Sequence, residues 1–129
     1  MLKKMKMITR SYVQEHPDFI FLFGDNLQKR GMGGQAKEMR GEPNAIGIPT
    51  KKKPTMDEDA FFTDKELEEN KAHIDHAILE IWNIKDEYDN KKDVIVIPED
   101  GLGTGLAQLP ERAPKTYAYL KKRIQALER

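Results

Sequence analysis

Three short segments carry the residue types that could do chemistry. The first runs Phe23-Gly24-Asp25-Asn26-Leu27 and continues to Gly31-Met32-Gly33-Gly34-Gln35. Glycines let backbone N–H groups come close to a ligand, and a helix start adds partial positive charge. Gly31, Gly33, Gly34 and Gln35 are therefore candidate ligand contacts, and Asp25 and Asn26, at a strand end, could orient sugar hydroxyls. A single glycine here would more simply be a tight turn. Three glycines in four residues, opening a helix beside Asp-Asn, shift the balance toward a binding loop.

The second segment is Ala45-Ile46-Gly47-Ile48-Pro49-Thr50-Lys51-Lys52-Lys53. A run of lysines is usually a solvated surface. Thr50 and Lys51 come directly after an apolar strand and are better placed to face a pocket. Lys51 could contact phosphate, or act chemically if neighbours depress its pKa. No more than one of the three lysines is expected to have such a role.

The third segment is Pro98-Glu99-Asp100-Gly101-Leu102-Gly103-Thr104-Gly105-Leu106. Its glycine spacing superficially suggests a dinucleotide fingerprint. That fingerprint needs a helix opening at the last glycine and an acid about twenty residues further on. Pro110 intervenes and the chain is nearly over by then, so the Rossmann reading is rejected. No Gly-Lys-Ser/Thr of a nucleotide-triphosphate loop occurs either. A backbone nest around a diphosphate, built from Gly101, Gly103, Thr104, Gly105 and Leu106, fits better.

Other constellations point nowhere. His73 and His76 share a helix face, but no acid or cysteine completes a metal set, and no metal or cofactor is expected. No nucleophile–histidine triad is recognisable. Trp82, Phe61 and Phe62 read as core; of these, Phe61 or Phe62 on a loop is the better candidate to cover a base.

The elements that must position these segments alternate strand and helix. Met5–Ile8 is expected as a short first strand, followed by a brief helix capped by Ser11 and ended at His16-Pro17. Phe19–Phe23 is five apolar residues in a row and reads as a strand buried on both faces. Gln35–Arg40 looks helical, and Ala45–Ile48 is a strand closed by Pro49. Thr63-Asp64-Lys65-Glu66 has capping-box spacing and opens a long helix to Glu87, with Leu67, Ile74, Ile78, Ile81 and Trp82 on its apolar face. Asp93–Ile97 is the next apolar strand. Pro110 opens a last helix whose face is Ala113, Tyr117, Leu120, Ile124 and Leu127. This pattern predicts a mainly parallel sheet covered on both faces, with ligands at the carboxyl ends of its strands. All three candidate segments fall at such ends.

Composition sets the outer bounds. A chain of 129 residues fits one domain, 1–129. It has no cysteine, so neither disulfides nor cysteine metal sites arise. With 22 basic and 22 acidic residues the net charge is zero, which argues against general nucleic-acid binding and leaves only a local patch. No membrane span or signal peptide is expected, and the cytoplasm is the default location.

In order and at strand ends, the three segments resemble the macrodomain superfamily. The nearest likeness is to the branch of ADP-ribosyl glycohydrolases that includes DNA-ADP-ribose-removing antitoxins and glutamate-ADP-ribose-removing enzymes. The matching stretches are Gly31-Met32-Gly33-Gly34-Gln35-Ala36, Ile48-Pro49-Thr50-Lys51-Lys52, and Ile97-Pro98 with Gly103-Thr104-Gly105-Leu106, spanning about Phe19 to Leu120. The resemblance implies a three-layer α/β/α fold with a mixed, mostly parallel sheet. It implies that the first and third loops wrap the diphosphate of ADP-ribose, or of a related adenine nucleotide. Lys51 falls where that branch keeps a catalytic lysine at the distal ribose. The branch commonly has an acid after Gly-x-Gly-Leu; here Ala107 stands there, and Asp100, earlier in the loop, is the acid that would substitute. The implied activity is removal of ADP-ribose from modified DNA or protein. The competing readings are a protein that binds and sequesters ADP-ribose or another NAD product, and an interaction module whose glycines are plain turns.

Overall fold

The computed structural model describes residues 1–87 and 94–128. Four strands, β1 (Leu2–Met5), β2 (Phe19–Asn26), β3 (Ala45–Lys51) and β4 (Val94–Pro98), form one sheet in the order β1-β4-β2-β3. Every pairing is parallel, so the sheet is not the mixed one expected. An isolated antiparallel bridge joins Lys51 to Phe61 outside it.

Side-chain alternation along β2 explains its apolar run. Ile20 and Leu22 point into the larger core, Phe21 and Phe23 into the smaller one. β4 repeats the pattern, with Ile95 and Ile97 on one face and Val96 on the other. Helices α1 (Arg10–Glu15) and α2 (Ala36–Met39) cover the smaller core through Val13, Ala36 and Met39. Helices α3 (Leu67–Glu87) and α5 (Pro114–Gln125) cover the larger one through Ile74, Ile78, Ile81, Leu120 and Ile124. The result is three layers, α/β/α.

The layering follows from connection handedness. The chain passes β1 to β2 to β3 in one direction, then returns from β3 to β4 across β2. Right-handed crossovers in opposite directions put their helices on opposite faces. The connection leaving β2 therefore goes to one face and the connection leaving β3 to the other, where the chain leaving β4 joins it through α5, and a crevice opens between the β2–α2 and β4–α4 loops.

Several boundaries differ from expectation. The first strand is Leu2–Met5 rather than Met5–Ile8, because pairing with β4 begins at Leu2 and Ile95. Thr9, not Ser11, caps α1, its hydroxyl accepting from the Tyr12 amide at 3.1 Å. Pro49 does not close β3: it sits on an edge strand, where its missing N–H breaks no ladder, and pairing continues to Lys51. The last helix is two. Pro110 opens a short α4 (Leu109–Arg112), and Pro114 starts α5. Asp93, expected in the last strand, lies outside the described residues.

The Thr63 capping box is also replaced. A 3-10 turn, Asp64–Glu66, precedes α3, and the Thr63 hydroxyl reaches the Glu66 carboxylate rather than a backbone amide. Asp64 instead caps α5. It accepts from the Lys115 amide at 2.9 Å, the Thr116 amide at 3.0 Å and the Thr116 hydroxyl at 3.0 Å. Burial works to raise the Asp64 pKa, but these three bonds outweigh it and hold the carboxyl below its ordinary 3.8.

Asp64→Ala should therefore cost about 1–2 kcal/mol, the usual scale of a lost N-cap. A carboxyl depressed by folding contributes its full stability above the unfolded pKa and loses it as pH falls through the folded value. Urea unfolding across the acid range should show a constant gap between wild type and variant above the ordinary 3.8, narrowing below it. A gap independent of pH would contradict this.

Candidate functional site

At the carboxyl edge of the sheet lies a cavity of about 380 Å³, within the range of small-ligand sites. It is lined by Asp25, Asn26, Gly31, Gly33, Gly34 and Gln35 from the β2–α2 loop, by Thr50 and Lys51 from the end of β3, and by Asp100, Gly101, Gly103, Thr104, Gly105 and Leu106 from the β4–α4 loop. All the candidate site residues thus meet around one space. Lys6, Arg30, Arg40, Pro54 and Glu99 join them.

The two glycine loops form opposing walls. Among the described residues, the backbone amides of Gly31 to Gln35 and of Leu102 to Ala107 donate to no other protein group. Gly31 to Gly34 are exposed, while Leu102 to Thr104 are buried or half-buried; amides in both settings are donors that an anionic ligand would use. Gly103 cannot be replaced by another residue without strain. Its φ is +79°, and a Cβ would stand 3.0 Å from Leu109 Cβ and 3.2 Å from Thr50 Cγ2. The loop is pinned from behind as well, by the Leu109 amide donating to the Gly103 carbonyl at 2.9 Å. The loops meet at the mouth, where a Cβ on Gly33 would lie 3.3 Å from Leu106 Cδ1.

Asp25 and Asn26 are at the expected place but already engaged. Asp25, with a side chain 7 % exposed, takes Arg40 Nη2 at 2.6 Å and Nη1 at 3.1 Å. Arg40 Nε also donates to the Gly31 carbonyl at 2.9 Å. Asn26 donates to the Arg30 carbonyl at 2.7 Å and accepts from the Gln28 amide at 3.0 Å. These two residues line the cavity and also shape the first loop, with which their side-chain oxygens are engaged. Gly47 makes room for the ion pair, since a Cβ there would sit 2.5 Å from Asp25 Oδ2.

Lys51 is buried, and its surroundings are unusual for a lysine. Its ammonium donates to the Thr55 carbonyl, lies 3.6 Å from Met56 Sδ, and stands 4.8 Å from the centre of the Phe61 ring. Nearby carboxylates have other partners: Glu66 pairs with Lys52, Asp59 with Lys53, Asp25 with Arg40 and Glu58 with Arg112. Among the described residues no carboxylate forms an ion pair with Lys51. Burial first, and then repulsion by the Arg112 guanidinium, holds the Lys51 amine below its usual 10.5. Lys52 and Lys53 engage their acids and do not line the cavity.

Asp100 belongs to the opposite end of the cavity. β3 and β4 flank β2, so their ends lie roughly 10 Å apart at ordinary strand spacing. Asp100 and Lys51 thus line the cavity from beyond strands on either side of β2. Phe61 and Phe62, offered as covers for a base, are each 1 % exposed and line no part of the cavity. The segment bearing them turns inward because Phe62 completes the larger core. His73 and His76 are exposed on α3, and among the described residues no cluster of three metal-ligating side chains occurs. No described helix is long and apolar enough to cross a membrane.

Arg40 is the main site-shaping residue that sequence reasoning missed. It sits outside the glycine motif, and its partner Asp25 is fifteen positions away, so no local spacing marks it. Arg112 was missed for the same reason.

The chain belongs to the family of unknown function DUF7831, whose profile it matches over residues 3–123. No curated protein and no solved structure matches it.

Removing one partner of a buried ion pair leaves the other uncompensated. Arg40→Met should destabilise the fold by roughly 3 kcal/mol, measured by denaturant unfolding. The double variant Arg40→Met/Asp25→Asn should recover part of that loss. If the double variant loses as much as the two single changes summed, the pair is not coupled.

Proposed function

We propose that this protein is a macrodomain-like, ADP-ribose-recognising hydrolase that removes ADP-ribose from a modified nucleic acid or protein side chain. The observation that carries this reading is the cavity between two loops whose backbone amides have no partner among the described residues, with a buried lysine in its wall that pairs with no carboxylate among them. The amides suit a diphosphate, which needs many donors at close range and little side-chain volume. Their order along the chain, with Lys51 between them, is that of the family the sequence resembles.

In this reading Lys51 addresses the anomeric carbon of the distal ribose. Its depressed pKa favours the neutral amine that attack requires. The amine lone pair forms a bond to that carbon. The bond to the modified group breaks, and its electron pair leaves with that group, which takes up a proton. Ring opening gives an imine between lysine and sugar. Water adds to the imine, the carbon–nitrogen bond breaks, and free ADP-ribose and the amine are regenerated. Asp100, across β2, would hold the far part of the ligand.

The second reading is sequestration of ADP-ribose or a related NAD-derived nucleotide without turnover. It is favoured by Ala107 standing where the resembling branch keeps an acid, and by the Lys51 ammonium being tied to the Thr55 carbonyl. Both readings share the same loops.

Free ADP-ribose should raise the melting temperature, because a ligand that binds only the native state adds about 2.7 kcal/mol at a hundredfold excess over its Kd. Gly33→Val and Gly105→Val should fold and lose that shift. Neither glycine has a positive φ, and no more than Leu106 Cδ1 opposes a Cβ at either. Normal binding by either variant would make its loop a turn and not a cradle.

Lys51→Ala should lower release of ADP-ribose from ADP-ribosylated DNA or protein by at least about a hundredfold, the scale of a positioned catalytic group, with ADP-ribose binding changed much less. Lys52→Ala and Lys53→Ala should have little effect. Wild-type binding with no release from any such substrate would decide for sequestration, and equal losses in all three variants would indicate a general basic patch.

A further inference from the structure

Lys51 shares its aromatic neighbour with a second cation. The Arg112 guanidinium lies 3.7 Å from the centre of the Phe61 ring, against which Lys51 also packs. Two cations on one buried ring repel each other, so something must hold them there. Arg112 is held by Gln108 Oε1 at 2.8 Å and by the Glu58 carboxylate at 2.9 and 3.3 Å. Gln108 has φ +49°, a conformation uncommon for a residue with a side chain, and it leads directly out of the β4–α4 loop. Lys51 has no comparable anchor, only a carbonyl and a thioether.

The charges around Lys51 come from every side. α4 supplies Arg112, and the β3–α3 connection supplies Lys52, Lys53, Glu58, Asp59 and Glu66, all six joined as Lys53–Asp59, Lys52–Glu66 and Arg112–Glu58 pairs. From β2 comes Asp25, which is bound to Arg40 of the following loop. Glu58 is 87 % exposed at its side chain, so solvent screens it more than the guanidinium packed on Phe61. The Arg112 guanidinium is the charged neighbour that disfavours the protonated Lys51 amine.

We propose that Arg112 is a positioning residue for Lys51: clamped by Glu58 and Gln108 on the ring that both cations share, it sets the charge environment in which the Lys51 amine meets an electrophile in the cavity. The proposal rests on the reading of Lys51 as the reactive group, but it assigns a distinct residue, on a different element, to the control of its charge. It also links the β4–α4 loop to the amine, because the residue that clamps Arg112 is the one that ends that loop.

The test is the pH dependence of Lys51 acylation by acetic anhydride in the intact protein, read by peptide mass spectrometry, with exposed Lys65 and Lys121 as internal references. In wild type the Lys51 midpoint should fall below those of the references. Arg112→Met should raise it by roughly one pH unit, the scale of one neighbouring charge, and Arg112→Lys should leave it closer to wild type. Glu58→Gln, at an exposed position that the fold tolerates, should lower it or leave it unchanged. A Lys51 midpoint unaltered in Arg112→Met, or raised in Glu58→Gln, would overturn the proposal. If Arg112→Met does not fold, Arg112→Gln, which keeps a hydrogen-bond donor and removes the charge, decides: a raised Lys51 midpoint supports the proposal and an unaltered one overturns it. No step uses ADP-ribose, so failure of the ligand reading leaves the labelling result standing, and a flat labelling profile leaves ligand binding to its own test.

Discussion

Parallel pairing of all four strands is the constraint from which the rest follows. Antiparallel strands would scatter their carboxyl ends over both edges of the sheet. Here every carboxyl end comes to one edge, and the return of the chain from β3 across β2 to β4 sends adjacent loops to opposite faces. A cavity at that edge is therefore a product of topology before any side chain is specified. What the side chains decide is how rigid its walls are and what charge they present.

Rigidity comes from a few polar contacts on one side of the cavity and from apolar packing on the other. Arg40 joins Asp25 at the end of β2 to the Gly31 carbonyl, so one guanidinium fixes the strand end and the loop that follows it. Its charge also lies 5.6 Å from the Phe23 ring, which anchors it to the smaller core. Across the cavity, Leu109 and Thr50 close around Gly103. The site is thus braced once from each core.

Much of the architecture was legible in the amino-acid sequence because it depends on local pattern. The apolar runs of β2 and β4 announce strands buried on both faces, and the heptad-like spacing in α3 and α5 announces their buried stripes. The glycine segments announce loops at strand ends, and their convergence follows once the sheet is taken as parallel. What could not be read was set by partners distant in sequence. Asp64 looks like part of a cap for the helix it precedes, yet it caps one that begins fifty positions later. Asp25 and Asn26 look like ligand contacts because nothing nearby in sequence claims them, while Arg40 and the turn to Arg30 do so in space. Phe61 and Phe62 read as core despite the polar connection around them, and both are buried, Phe62 within the larger core; the lesser option, that one of them covers a base, rests only on their place on a loop.

Capping of α5 by Asp64 has a mechanical corollary. The β4–α4 loop begins at a strand locked in the sheet and ends, through α4, at a helix whose first turn is bonded to the residue that also opens α3. Both ends of the loop are thus held by the same rigid body. A segment with fixed ends samples fewer shapes than one attached to a freely moving helix. Its amides are then presented with much of their conformational entropy already removed, and a ligand gains affinity from order that folding has imposed in advance.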